Sequence, residues 1–166
     1  GLQGTEVVYG LTHPLIQEVA YAELPEMARR HAHMSAIKAL ESLSDGRSRN
    51  IDQLARHYVG AGPEANPDRA LAVLLAAGER AREVYANEQA ARHYAAALAI
   101  VRQGVGDRVE GDTPPSSTLH PPPSTLLEVL ERLGEAWERI GKHGAAVEAW
   151  QEALSERERT GDILAA

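Results

Sequence analysis

Residues 132–154 read RLGEAWERIGKHGAAVEAWQEAL, and their spacing decides the fold. The stretch divides at GKHG, residues 141–144, into two helical segments. Leu133, Gly134 and Trp137 share one face of the first, with Leu130 a turn upstream; Ala146, Trp150 and Ala153 share a face of the second. Small residues on both segments let two antiparallel helices approach closely, while an aromatic ring fills the space beside the contact. The stretch reads as a helix hairpin.

The same arrangement occurs 56 residues earlier. Leu74, Ala77, Gly78 and Ala81 precede Ala90, Tyr94 and Ala97, each at a constant offset from its counterpart. A fainter copy lies further upstream, where ARHY at 55–58 recurs at 91–94 and Leu54, Tyr58 and Ala61 repeat the spacing of Ala90, Tyr94 and Ala97 at an offset of 36. Residues 26–61 are therefore read as a degenerate hairpin, 68–104 as one repeat and 127–160 as another.

These segments resemble the tetratricopeptide repeat, a helix hairpin with a period of about 34 residues. The chain departs from that pattern at Leu130, where the family favours Trp, and at Glu158, where it favours Pro. The resemblance implies an all-α superhelix of stacked hairpins with a concave groove lined by each hairpin's first helix. Between the offset of 56 and a period of about 34 lie 22 residues, the number in 105–126. That segment contains GDTPPSSTLHPPPST, whose prolines exclude helix. It reads as a loop inserted within one array, since each doubling of loop length costs only about 0.6 kcal/mol.

Other helices follow from breakers and periodicity. Pro14 fits a first helical position, capped by Thr12 or His13, with Leu15, Ile16, Val19 and Leu24 on one face and Pro25 ending the segment. Residues 26–43 carry Met27, Met34, Ile37, Leu40 and Leu43 near helical spacing. Asn50 with Gln53 predicts a capping box opening a helix to about Val59, and Asn66–Pro67 opens one to about residue 85. Asn87 is expected to cap a helix to about Gln103, and Thr125 with Glu128 to form a further capping box. The last two helices are expected over about 126–140 and 143–159. TEVVYGL, residues 5–11, is the one strand-like run.

GLTHPLIQEVAYAELPEMARRHAH, residues 10–33, resembles a segment of STAND-class signalling ATPases, among them LuxR-type regulators and cyclase-associated ATPases. The matching residues are His13, Leu15, Ile16, Glu18, Tyr21 and Leu24. The resemblance implies that residues 1–25 are the tail of an upstream helical or winged-helix module, strand remnant included, and that 26–166 form the repeat domain. It also implies a sensor or scaffold arm whose ligand or partner relieves autoinhibition of an ATPase core. The chain has no GxxxxGK[ST] phosphate loop, and it opens on Gly1, which reads as a piece of a longer protein.

Composition narrows the function further. Phe is absent, Trp occurs twice and Tyr five times, so the core must be built from Ala, Leu, Val and Ile. Zero cysteines exclude thiolate chemistry and fit a reducing cytoplasm. The net charge of −7 and the lack of a basic stripe argue against direct nucleic-acid binding, and no apolar run of about 20 residues points to a membrane. His31 and His33 point roughly 200° apart on a helix and cannot share a metal. His13 with Glu18 reads as structural, and His57 and His93 as solvated neighbours of packing tyrosines. No catalytic cluster, cofactor site or metal site is expected.

One surface does stand out. Glu128, Glu131, Glu135 and Glu138 lie on one helix face, and the equivalent positions of the preceding repeat are Ala72, Leu75, Glu79 and Arg82. In tetratricopeptide geometry this face lines the groove, apolar at one end and acidic at the other, which suits a basic or amphipathic peptide. The expected role is a non-catalytic arm that binds a protein, an effector or another domain of the same chain; the alternative is a homo-oligomerisation scaffold.

Overall fold

The computed structural model describes residues 14–43, 50–106 and 123–161. Seven α-helices run through them: α1 (Pro14–Glu23), α2 (Glu26–Leu43), α3 (Ile51–Ala61), α4 (Pro67–Glu83), α5 (Asn87–Gly106), α6 (Pro123–Arg139) and α7 (His143–Thr160). A 3-10 turn, Gly62–Glu64, joins α3 to α4. The fold is all-α, with no strand among the described residues. The strand expected over 5–11 lies outside them, as do residues 107–122 of the segment read as a loop. Helices take up the remainder of that segment, because α5 continues through Gly106 and α6 begins at Pro123.

From α2 to α7 each helix packs on the next in chain order, α6 on α5 included. One core cluster runs from Ala55 on α3 to Ala153 on α7, so residues on both sides of 107–122 share an interior. A second cluster joins Ile37, Tyr58, Ala61, Ala65 and Ala70. Alanine dominates both, and small side chains bring the backbones together. Phe-free composition and close helix approach are two views of the same packing.

The 56-residue offset holds in burial. Leu74 and Leu130 are fully buried, as are Ala77 and Leu133; Ala90 and Ala97 are matched by buried Ala146 and Ala153. Gly78 lies so close to the Tyr94 ring that a Cβ there would collide with it, and Gly134 stands in the same relation to the Trp150 indole. Trp137 packs, half-buried, where the earlier hairpin has Ala81.

Helix starts follow the sequence less closely. Asn66 accepts from the Arg69 N–H at 2.9 Å, with Pro67 in the first turn, as its dipeptide predicts. The cap expected from Thr12 or His13 lies outside the described residues, and the three others do not form. Asn50 precedes α3 without a side-chain cap, so the Asn50–Gln53 capping box is absent. Asn87 already lies in the first turn of α5, and its buried Oδ1 finds no partner. Thr125 lies inside α6, which starts two residues earlier, and Glu128 turns to Arg132 instead.

Among the described side chains, Ile16, Val19 and Tyr21 of α1 and Leu24 just after it are exposed. Tyr21 links α1 to α2: it hydrogen-bonds His33 Nε2 at 2.8 Å and lies 5.6 Å under the Arg29 guanidinium.

Candidate functional site

Glu79 on α4 gathers three helices. Its carboxylate accepts from the Tyr94 hydroxyl on α5 at 2.6 Å, from Arg82 at 2.7 Å, and from Arg132 on α6 through a short ion pair. Burial alone would raise its pKa; the Tyr94 hydroxyl, Arg82 and Arg132 outweigh that and hold it below the usual carboxylate range. Burial and the Glu79 carboxylate together push Tyr94 up to about 12. For Arg132, burial works against the charged form, but Glu79 and Glu128 more than offset it and raise its pKa.

The acidic face of α6 is partly neutralised from within. Glu128 pairs with Arg132 at 2.6 Å, and Glu131 pairs with Arg157 of α7 at 2.5 Å. Glu135 and Glu138 are exposed and have no ion-pair partner among the described residues, although Glu135 lies close enough to Arg82 to raise that guanidinium's pKa after the dominant effect of Glu79. On α4, Ala72 is exposed and Leu75 half-buried. The bare acidic surface is thus two carboxylates rather than four, and Arg132 ties its wall to α4.

Histidines His57 and His93 are not solvated as the sequence reading expects. His33 Nδ1 and His57 Nδ1 share a hydrogen bond of 2.9 Å, one ring donating and the other accepting, so Tyr21, His33 and His57 form a chain across α1, α2 and α3. His33 also lies against Gly60, where a Cβ would meet the ring. Burial lowers the pKa of His57, and the nearby His33 and Arg56 lower it further. His93 is half-buried, 3.6 Å from Asp52; burial lowers its pKa more than Asp52 raises it. In the first hairpin Tyr58 donates to Glu41 at 2.8 Å, echoing Tyr94 with Glu79.

Sequence reasoning missed Glu79 as a junction, although Gly–Glu at 78–79 and 134–135 marks both hairpins alike. It missed the His33–His57 contact because two residues on different helices carry no shared spacing. Among the described residues, no group of three or more His, Asp or Glu side chains is placed to hold a metal, and no helix is long and apolar enough to cross a membrane. Comparison with family models, with curated proteins and with solved structures finds no match to this chain.

Proposed function

We propose that this chain is a tetratricopeptide-like interaction array, a sensor or scaffold arm of a multidomain signalling regulator of the STAND ATPase kind. In this reading residues 105–126 form an insertion within one array and residues 1–25 belong to a preceding module. The observation that carries it is the match of the two C-terminal hairpins in the buried pairs Leu74/Leu130, Ala77/Leu133, Ala90/Ala146 and Ala97/Ala153, in glycine–aromatic contact and in turn position at a constant offset of 56. Stacked hairpins that each contact only their neighbours present extended surfaces for partners, and this is their common use.

The ligand in this reading is a basic segment of a partner protein or of the same chain. It lies along α4 and α6, with Leu75 at the apolar end and Glu135 and Glu138 supplying unneutralised charge. A labelled, proline-interrupted Lys/Arg peptide, unable to form helix, tests it by fluorescence anisotropy. Binding should weaken when salt rises from about 0.05 to about 0.5 M, and the E135K/E138K chain should bind less. Equal binding by that variant removes the groove reading.

A further inference from the structure

The two C-terminal hairpins differ in what lies against their second helix. On α5, Ala91, Tyr94 and Leu98 are 6%, 0% and 6% exposed and belong to the same core cluster as Leu127, Leu130 and Leu133 of α6. The residues 56 positions later, Val147, Trp150 and Leu154, are 47%, 36% and 58% exposed. Helix α7 therefore carries outward the apolar stripe that α5 buries beneath α6. A solvated end of a helical stack would carry polar residues there, yet Ala91 is replaced by the larger Val147.

Charge changes in the same direction. At the inner hairpin Glu79 is neutralised by Arg82 of its own helix and by Arg132 of the helix stacked upon it. The equivalents at the outer hairpin are Glu135 for Glu79 and Glu138 for Arg82, so one arginine has become a second carboxylate. The Trp150 ring lies over Gly134, one residue before Glu135, and by the offset of 56 Glu135 and Glu138 correspond to Glu79 and Arg82 beside Tyr94. A helix seated there as α6 sits on α5 must bring aliphatic side chains to α7 and two cations to α6.

We propose that the open end of the α6–α7 hairpin, formed by Val147, Trp150 and Leu154 with Glu135 and Glu138, is a docking surface for an amphipathic helix that carries two cations beside its apolar face. The proposal rests on the reading of the chain as an interaction array; it shares Glu135 and Glu138 with the groove, but only the end surface uses α7.

Two labelled peptides test it against the full chain by fluorescence anisotropy: the α6 sequence itself, residues 123–139, and the same peptide with Glu135→Arg. In the docked register peptide Arg132 faces Glu135 of the chain, and the new arginine faces Glu138. The substituted peptide should bind about fivefold more tightly than the unmodified one. The V147S/L154Q chain should bind it about tenfold more weakly. Both replaced residues are exposed, and circular dichroism verifies that the fold is retained. The proline-interrupted peptide should bind V147S/L154Q as it binds the parent, which separates this surface from the groove. If it alone fails to bind the parent, the groove reading falls and the end surface stands. Absence of helical-peptide binding, or equal binding by V147S/L154Q, overturns the proposal. Concentration-dependent self-association that V147S/L154Q abolishes also overturns it, because the occupant is then a second copy.

Discussion

Tyr85 and Gly141 occupy the same left-handed turn position, 56 residues apart, with φ of 59° and 78°. Each ends the first helix of its hairpin, and the hydrogen bonds around them correspond. The Tyr85 N–H reaches the Arg82 carbonyl and the Ala86 N–H reaches Ala81; the Gly141 N–H reaches Glu138 and the Lys142 N–H reaches Trp137. The turn is one device used twice, and only the second copy has the residue that adopts this backbone freely.

Tyr85→Gly should therefore stabilise the protein. A left-handed non-glycine residue costs about 1–2 kcal/mol, and glycine's greater freedom in the unfolded chain takes back part of the gain. Tyr85 is 83% exposed, so little packing is lost with the ring. Urea denaturation should show a gain of about 0.5–1 kcal/mol; a loss would mean that the ring contributes contacts of its own.

Gly78→Ala and Gly134→Ala should both destabilise, but unequally. The Tyr94 ring against Gly78 is fully buried and anchored to Glu79, so it has nowhere to move. The Trp150 indole is partly exposed and can swing outward. Overpacking of about 2–3 kcal/mol is expected at Gly78 and about 1 kcal/mol at Gly134. Thermal melts of the two variants decide the order.

Glu79→Gln removes the negative charge shared by Tyr94, Arg82 and Arg132. A loss of about 1–2 kcal/mol is expected, since the partly buried Arg132 keeps only Glu128 as counter-charge. The titration of Tyr94, held up to about 12, should also move down. Ultraviolet absorbance at alkaline pH reads that shift separately from stability.

Acid should destabilise the fold in two stages. His57 and His93 have folded pKa values below the ordinary 6.5, so the fold favours their neutral forms. Their contribution is full above 6.5 and is lost as pH falls from there toward the folded pKa. Glu79 has a folded pKa below 4.5; its contribution is full above 4.5 and is lost as pH falls through the lower folded value. Melting temperatures should fall below pH 6.5 and fall again below 4.5. In the His57→Gln/His93→Gln variant the upper stage should flatten and the lower one remain.

The hairpins were legible in the sequence because small and aromatic residues must recur where helices touch, and that recurrence is linear. Leu74, Gly78 and Tyr94 announce Leu130, Gly134 and Trp150 by arithmetic alone. Caps were less legible: Asn50, Asn87 and Thr125 have suitable side chains, but capping needs a backbone geometry that residue type does not impose. The acidic face was overread for a related reason. Glu128 with Arg132 can be seen at four-residue spacing, whereas Arg157 reaching Glu131 and Arg132 reaching Glu79 depend on which helices become neighbours. The His33–His57 contact has the same origin.

The packing of α5 on α6 predicts that the covalent path between them can be cut without loss of the fold. If the chain were cut once within residues 107–122, the fragments on either side would still share the core that runs through Leu98, Val101, Leu127 and Leu130. They should remain together through size exclusion and melt as one body. Two separately expressed halves should likewise reconstitute the protein on mixing, as a split pair whose recognition surface is an ordinary interior.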